Sequence, residues 1–166
     1  MRTARRAGVR QRGFTLIELM IVIVVAGILV GFTVPSWVSM QRSLLKEQAR
    51  ERIVQDIRTA RQTAVTGRVP VVVAFLPSGG GPIVEYTIHV DTNDDRLVDA
   101  GEPWRRVRLP KGTGLTQVAI VPSDSLRFVS SGSLAPGNTG GTIVVSNGRG
   151  KADTLMVSSV GMLFRP

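Results

Sequence analysis

From Phe14 to Val34 the chain reads FTLIELMIVIVVAGILVGFTV, twenty-one residues in which Glu18 is the only charge. A helix of that length spans about 32 Å at 1.5 Å per residue, enough to cross the hydrocarbon core of a bilayer. No other stretch of the 166 residues limits the fold so strongly. Arg2, Arg5, Arg6, Arg10 and Arg12 precede the run, and such an excess of arginine favours a cytoplasmic N-terminus. The far flank carries Arg42, Lys46 and Arg50, accompanied by Glu47 and Glu51. A secretory signal has a shorter apolar stretch of roughly 7–15 residues, followed by a small-residue cleavage site. Here the stretch is longer and no Ala-x-Ala follows it.

Glu18 is the anomaly. An acid at the centre of a membrane helix costs about 2.5–3.5 kcal/mol on insertion scales, and acids in such helices are commonly functional. Two readings stand on lipid physics alone. Glu18 lies one turn in and reaches the headgroups, or it has a partner inside the membrane.

The sequence around it, Gly13-Phe14-Thr15-Leu16-Ile17-Glu18, resembles the type IV prepilin signal G|FTLIE without a gap. The resemblance implies that a prepilin peptidase cuts between Gly13 and Phe14 and that Phe14 is then N-methylated. Glu18 becomes the fifth mature residue, and in the pilin family that acid is thought to pair with the N-terminal amine of a neighbouring subunit. An unpaired acid and an unpaired amine are both costly in low dielectric, and pairing removes both penalties. The spacing i, i+4 predicts that Phe14 and Glu18 share a helix face. Gly27 and Gly31 form a G-x-x-x-G, a candidate close-packing face for another helix.

Pro35 closes the purely apolar stretch and either ends or kinks a helix there. Beyond it Val38, Leu45, Ala49, Ile53, Ile57, Ala60 and Ala64 recur mostly at steps of three or four, with charged residues on the other side. Gly67 followed by Pro70 is a stop signal. The pattern predicts one helix over about 14–66, kinked near Pro35. The expected organisation is a cleaved leader at 1–13, a transmembrane part at 14–34, an amphipathic part at 35–67 and a β-rich domain at 68–166.

After Gly67 the periodicity changes to two. Expected strands are Val71–Leu76, Ile83–Val90, Trp104–Leu109, Gln117–Val121, Leu126–Val129, Thr142–Ser146 and Thr154–Ser158, separated by PSGGGP, PKGTG, SSGS and APGNTGG turns. In the second strand Val84, Tyr86, Ile88 and Val90 alternate with Glu85, Thr87 and His89, which predicts one apolar and one polar face. The fold class expected is α+β: a long N-terminal helix packed on an antiparallel sheet domain, as in pilins. There is no cysteine, so the C-terminal disulfide loop common in major pilins is absent. The layout resembles the GspH/FimT group of minor pseudopilins.

Three further stretches offer chemistry. Asp91, Asn93, Asp95, Leu97, Asp99 and Glu102 fall at positions 1, 3, 5, 7, 9 and 12 of a loop, the spacing of an EF-hand-type calcium site. Arg96 stands at position 6, where glycine normally makes the turn. The alternative is a polar hairpin loop held by Asx turns. His89 is the only histidine, expected on the polar strand face as an ordinary surface residue. The GRGK at 148–151 lacks the Ser/Thr and glycine spacing of a phosphate loop.

The formal charge is +9, but five arginines lie before the apolar run. From Phe14 onward sixteen basic residues face twelve acidic ones, a net of +4. FimT-like minor pilins that bind DNA use a basic Gly-Arg-x-Arg tail. Here the tail is Gly161-Met162-Leu163-Phe164-Arg165, with one arginine. Arg149, Lys151 and Arg165 remain a candidate phosphate-binding patch.

The reading is therefore a minor pseudopilin of a type II secretion system or type IV pilus-like filament, not an enzyme. Its expected partners are other pilins or pseudopilins, a prepilin peptidase and inner-membrane lipid, with a periplasmic C-terminal domain. No cofactor is expected beyond the calcium candidate. The alternatives are a DNA-binding competence pilin and a plain signal-anchored periplasmic domain.

Overall fold

A computed structural model describes residues 13–77, 79–93, 95–148 and 152–166, without the side chains of 33–36. The leader residues 1–12, the expected kink at Pro35, and Arg149 and Lys151 lie outside what it describes. The chain forms two units, one ending at Ser39 and one comprising Met40–Pro166. One helix, α1, runs from Leu16 to Gly67 through both.

Strong helix formers and the absence of interior turn residues from 40 to 66 account for the second half of α1. It ends where the sequence signals it, one residue late: Gly67 is still helical and Arg68 takes the left-handed conformation, φ 52°, before Pro70. The apolar stripe Ala49, Ile53, Ile57, Ala60 and Ala64 is buried, as its spacing requires. Val38 stays exposed and Leu45 is half-buried, so packing begins near Leu45.

The eight strands are β1 Val71–Phe75, β2 Glu85–Val90, β3 Trp104–Arg108, β4 Gly114–Val121, β5 Ser125–Phe128, β6 Gly140–Ser146, β7 Asp153–Val157 and β8 Leu163–Phe164. They form two four-stranded sheets, ordered β3-β2-β1-β5 and β4-β6-β7-β8. Every pairing is antiparallel. The split into two sheets was not predicted, and neither was β8, whose two residues are too few to show a period. One core joins them: Ile53 and Ile57 of α1, Val73, Phe75 and Tyr86 of the first sheet, and Ile143, Val145 and Leu155 of the second.

Two glycines hold the start of β6 in place. A β-carbon on Gly140 would lie 2.1 Å from the Val157 carbonyl oxygen, and one on Gly141 would lie 1.9 Å from that of Ala119. The strand threads between β4 and β7 with no room for a side chain at either position.

Polar contacts tie α1 to both sheets. Tyr86 donates its hydroxyl to Asp56 Oδ2 at 2.6 Å, and Arg105 Nη2 donates to Asp56 Oδ1 at 2.7 Å. Burial, followed by that hydrogen bond to Asp56, pushes the Tyr86 hydroxyl well above its ordinary pKa. On the other sheet Asp153 faces Lys46 at 3.3 Å and Arg165 at 3.4 Å.

Candidate functional site

At the N-terminal end the backbone of Gly13, Phe14 and Thr15 precedes the helix. Thr15 is the N-cap. Its hydroxyl accepts from the Glu18 amide at 3.3 Å, and its carbonyl accepts from the Leu19 amide at 3.2 Å. Thr15-x-x-Glu18 is capping-box spacing, a signal present in the sequence that the prepilin pattern overshadowed. Glu18 sits in the first helical turn, where the exposed amides and the helix dipole favour a negative charge. The helix begins at Leu16, so Phe14 lies just before it and does not share a helix face with Glu18 as the spacing predicts. The cap sets their relation instead.

Every residue from Gly13 to Phe32 is exposed. Phe14 is 82% exposed, Leu16 78%, and Ile23 and Leu29 both 62%. A β-carbon on Gly27 or Gly31 would meet nothing within 4 Å. This is an exposed apolar surface along the described part of the helix.

The 91–102 loop is built differently from a cation cage. Asp91 is fully buried, and its Oδ2 accepts from Arg127 Nε at 2.9 Å. Asn93 donates to Asp95 and Asp99, and the Asp95 carboxylate accepts from the Leu97 amide at 2.7 Å. Glu102 accepts from the Thr92 amide at 2.7 Å and the Thr92 hydroxyl at 2.8 Å. Those two bonds, then that from the Asp99 amide and the nearby His89, hold the Glu102 carboxyl below its ordinary pKa. Arg96 takes φ 64°, the left-handed turn that position 6 demands. Asn93 thus draws Asp95 and Asp99 together, while Asp91 faces Arg127 and Glu102 holds Thr92. Among the described residues no three His, Cys, Asp or Glu side chains converge on a metal position.

His89 is not a surface residue. It is 2% exposed, and neither ring nitrogen has a hydrogen-bond partner. The alternation correctly placed Thr87 and His89 on one face, but that face is covered. Val72, Arg127 and Ser125 on the same side are buried too. The loop crosses over them: Arg96, on the β2–β3 connection, donates to Ser123 Oγ at 3.0 Å, beside β5 at the opposite edge of the sheet. The strap explains why β1, VVVAF, is apolar along nearly its whole length.

Of the candidate phosphate-binding residues, Arg165 is in an ion pair with Asp153, an acid that Lys46 also faces. A groove of about 410 Å³ opens between α1 and β3, lined by Thr59, Thr63, Ile88, Trp104 and Arg105 among others.

An exposed apolar helix half, opened by a prepilin signal and followed by a two-sheet domain, defines a pilin-type subunit. The comparisons agree. Residues 9–34 match the prokaryotic N-terminal methylation motif, and residues 49–161 match the family described as type II transport protein GspH. The pilin-like protein PilA1 of Thermus thermophilus is 32% identical over 122 residues, 67% of this chain and 75% of that one. The fold is that of the Pseudomonas aeruginosa type IV minor pilin FimU, with a TM-score of 0.52 at 17% identity over 72% of this chain and 91% of that one. The Vibrio cholerae minor pseudopilin EpsH gives a TM-score of 0.50 at 15% identity, over 73% and 94%. The chain belongs to the GspH family, as a minor pilin or pseudopilin subunit of a type II secretion system or type IV pilus.

Proposed function

We propose that this subunit is cut between Gly13 and Phe14 by a prepilin peptidase, N-methylated on Phe14, and drawn from the inner membrane into a filament with its domain on the periplasmic side. The work is mechanical: the chain is a structural subunit rather than an enzyme. One observation carries the reading. The apolar surface from Phe14 to Phe32 is wholly exposed, and its single charge sits in the first turn, next to where the new amine would form.

In lipid that surface is solvated by acyl chains. In a filament it packs on sibling helices, with Gly27 and Gly31 giving backbones room to approach. Glu18 then accepts the neighbouring amine, which fixes register because a one-turn slip leaves two unpaired charges. Intact mass of the membrane form tests the processing: loss of residues 1–13 and gain of one methyl group are expected, and a retained leader overturns the reading.

The 91–102 loop acts as a structural strap. Its side chains hydrogen-bond to one another, to loop backbone and, at Asp91, to Arg127. Millimolar calcium is expected to leave the melting temperature of the protein unchanged. A rise would transfer the loop to the calcium reading.

A further inference from the structure

The two outer strands of the first sheet are treated differently. Beyond β5 the chain returns and covers it: Ala135 donates to the Arg127 carbonyl at 2.8 Å, and Val129 donates to that of Ser133 at 3.0 Å. Among the described residues no segment returns beyond β3, which pairs with β2 alone. The Val90 amide donates to Pro103 and the Leu109 amide to Val84. Inward and outward peptide groups alternate along an antiparallel ladder. Residues 103, 105, 107 and 109 therefore face β2. Trp104, Arg106 and Arg108 turn their N–H and C=O groups to the open edge.

The same three residues share a strand face, because they are two apart. Trp104 is 53% exposed, and the side chains of Arg106 and Arg108 are 58% and 77% exposed. Arg106 lies over the Trp104 ring at 5.9 Å. The two guanidiniums lean on one acid, Glu85, at 3.9 and 3.5 Å.

We propose that the β3 edge is a docking site for an extended acidic segment of another protein, which adds as a fifth strand. Three arguments select that occupant. A second copy of the same edge is excluded, since arginine would oppose arginine across the pair. Alternating free donors and acceptors match a peptide backbone and do not match a phosphodiester, which offers acceptors only. Acids at alternate positions of a strand recur at about 6.5–7 Å and meet Arg106 and Arg108 in register. The surface exists whatever filament the subunit serves, so this inference does not depend on the assembly reading above.

The test uses the full chain in detergent micelles and a labelled peptide of alternating glutamate and valine, read by fluorescence anisotropy. Saturable binding is expected. Combining Arg106→Glu with Arg108→Glu should weaken it about tenfold or more, with an unchanged circular dichroism spectrum. A peptide N-methylated at its glutamates keeps its charge and loses the edge-facing N–H groups, so it should also bind about tenfold more weakly. That comparison uses the unaltered protein and holds even if the double variant fails to fold. No binding, equal binding by the N-methylated peptide or by a lysine–valine peptide, or tighter binding by oligothymidylate would each overturn the proposal.

Discussion

The two halves of α1 carry similar aliphatic side chains and meet opposite fates. Ile23, in the first half, is 62% exposed; Ile57, in the second, is 0% exposed. The second half alternates its apolar residues with Glu47, Glu51, Asp56 and a set of arginines, so only one stripe seeks a partner, and the two sheets supply it. The first half is apolar apart from Glu18, and from Phe14 to Phe32 it is exposed. Folding of the chain thus accounts for the burial of the second half and leaves the first half open. Free energy stored in the exposed half is therefore available for assembly and contributes little to domain stability.

Four experiments test that contrast. The largest effect belongs to Glu18→Ala. Incorporation into sheared or pelleted filaments should fall about tenfold or more, as removing one member of a buried pair costs about 3–5 kcal/mol. The melting temperature of the domain should not move, and normal incorporation would refute the pairing role. Next, Ile57→Ala should destabilise the domain by about 2–5 kcal/mol in thermal melts. Ile23→Ala should stay within about 0.5 kcal/mol, and equal losses would erase the contrast between the halves. Third, Tyr86→Phe removes a hydrogen bond to the charged Asp56 and should cost about 1.5–3 kcal/mol, with Arg105 still in place on the carboxylate.

The smallest effect concerns the strap. The Glu102 carboxyl is held below its ordinary 4.5, so its stabilising contribution is complete above that value and is lost as pH falls through the lowered one. The Thr92 amide resonance should titrate with a midpoint below 4.5. A midpoint at or above it would show that Glu102 does not anchor the loop.

Much of the fold was legible because its signals are local. The twenty-one-residue apolar run, the G|FTLIE pattern and the 3.6-residue stripe from Ala49 to Ala64 can each be read within a few turns of chain. All seven expected strands exist, shifted by a residue or a few at their ends. The Thr15 cap was equally local and could have been read from its spacing to Glu18.

Local sequence thus dictates which residues share a face and where the chain turns. Whether a face is covered was decided only by tertiary structure. His89 is buried because a loop whose path no periodicity reveals crosses over it. Asp91 meets a partner no local spacing shows, because Arg127, thirty-six residues away, lies within reach of its carboxylate. The β3 edge is open while the β5 edge is closed because one has a returning segment and the other has none. Periodicity is a property of neighbours in the chain; coverage depends on segments that are neighbours only after folding.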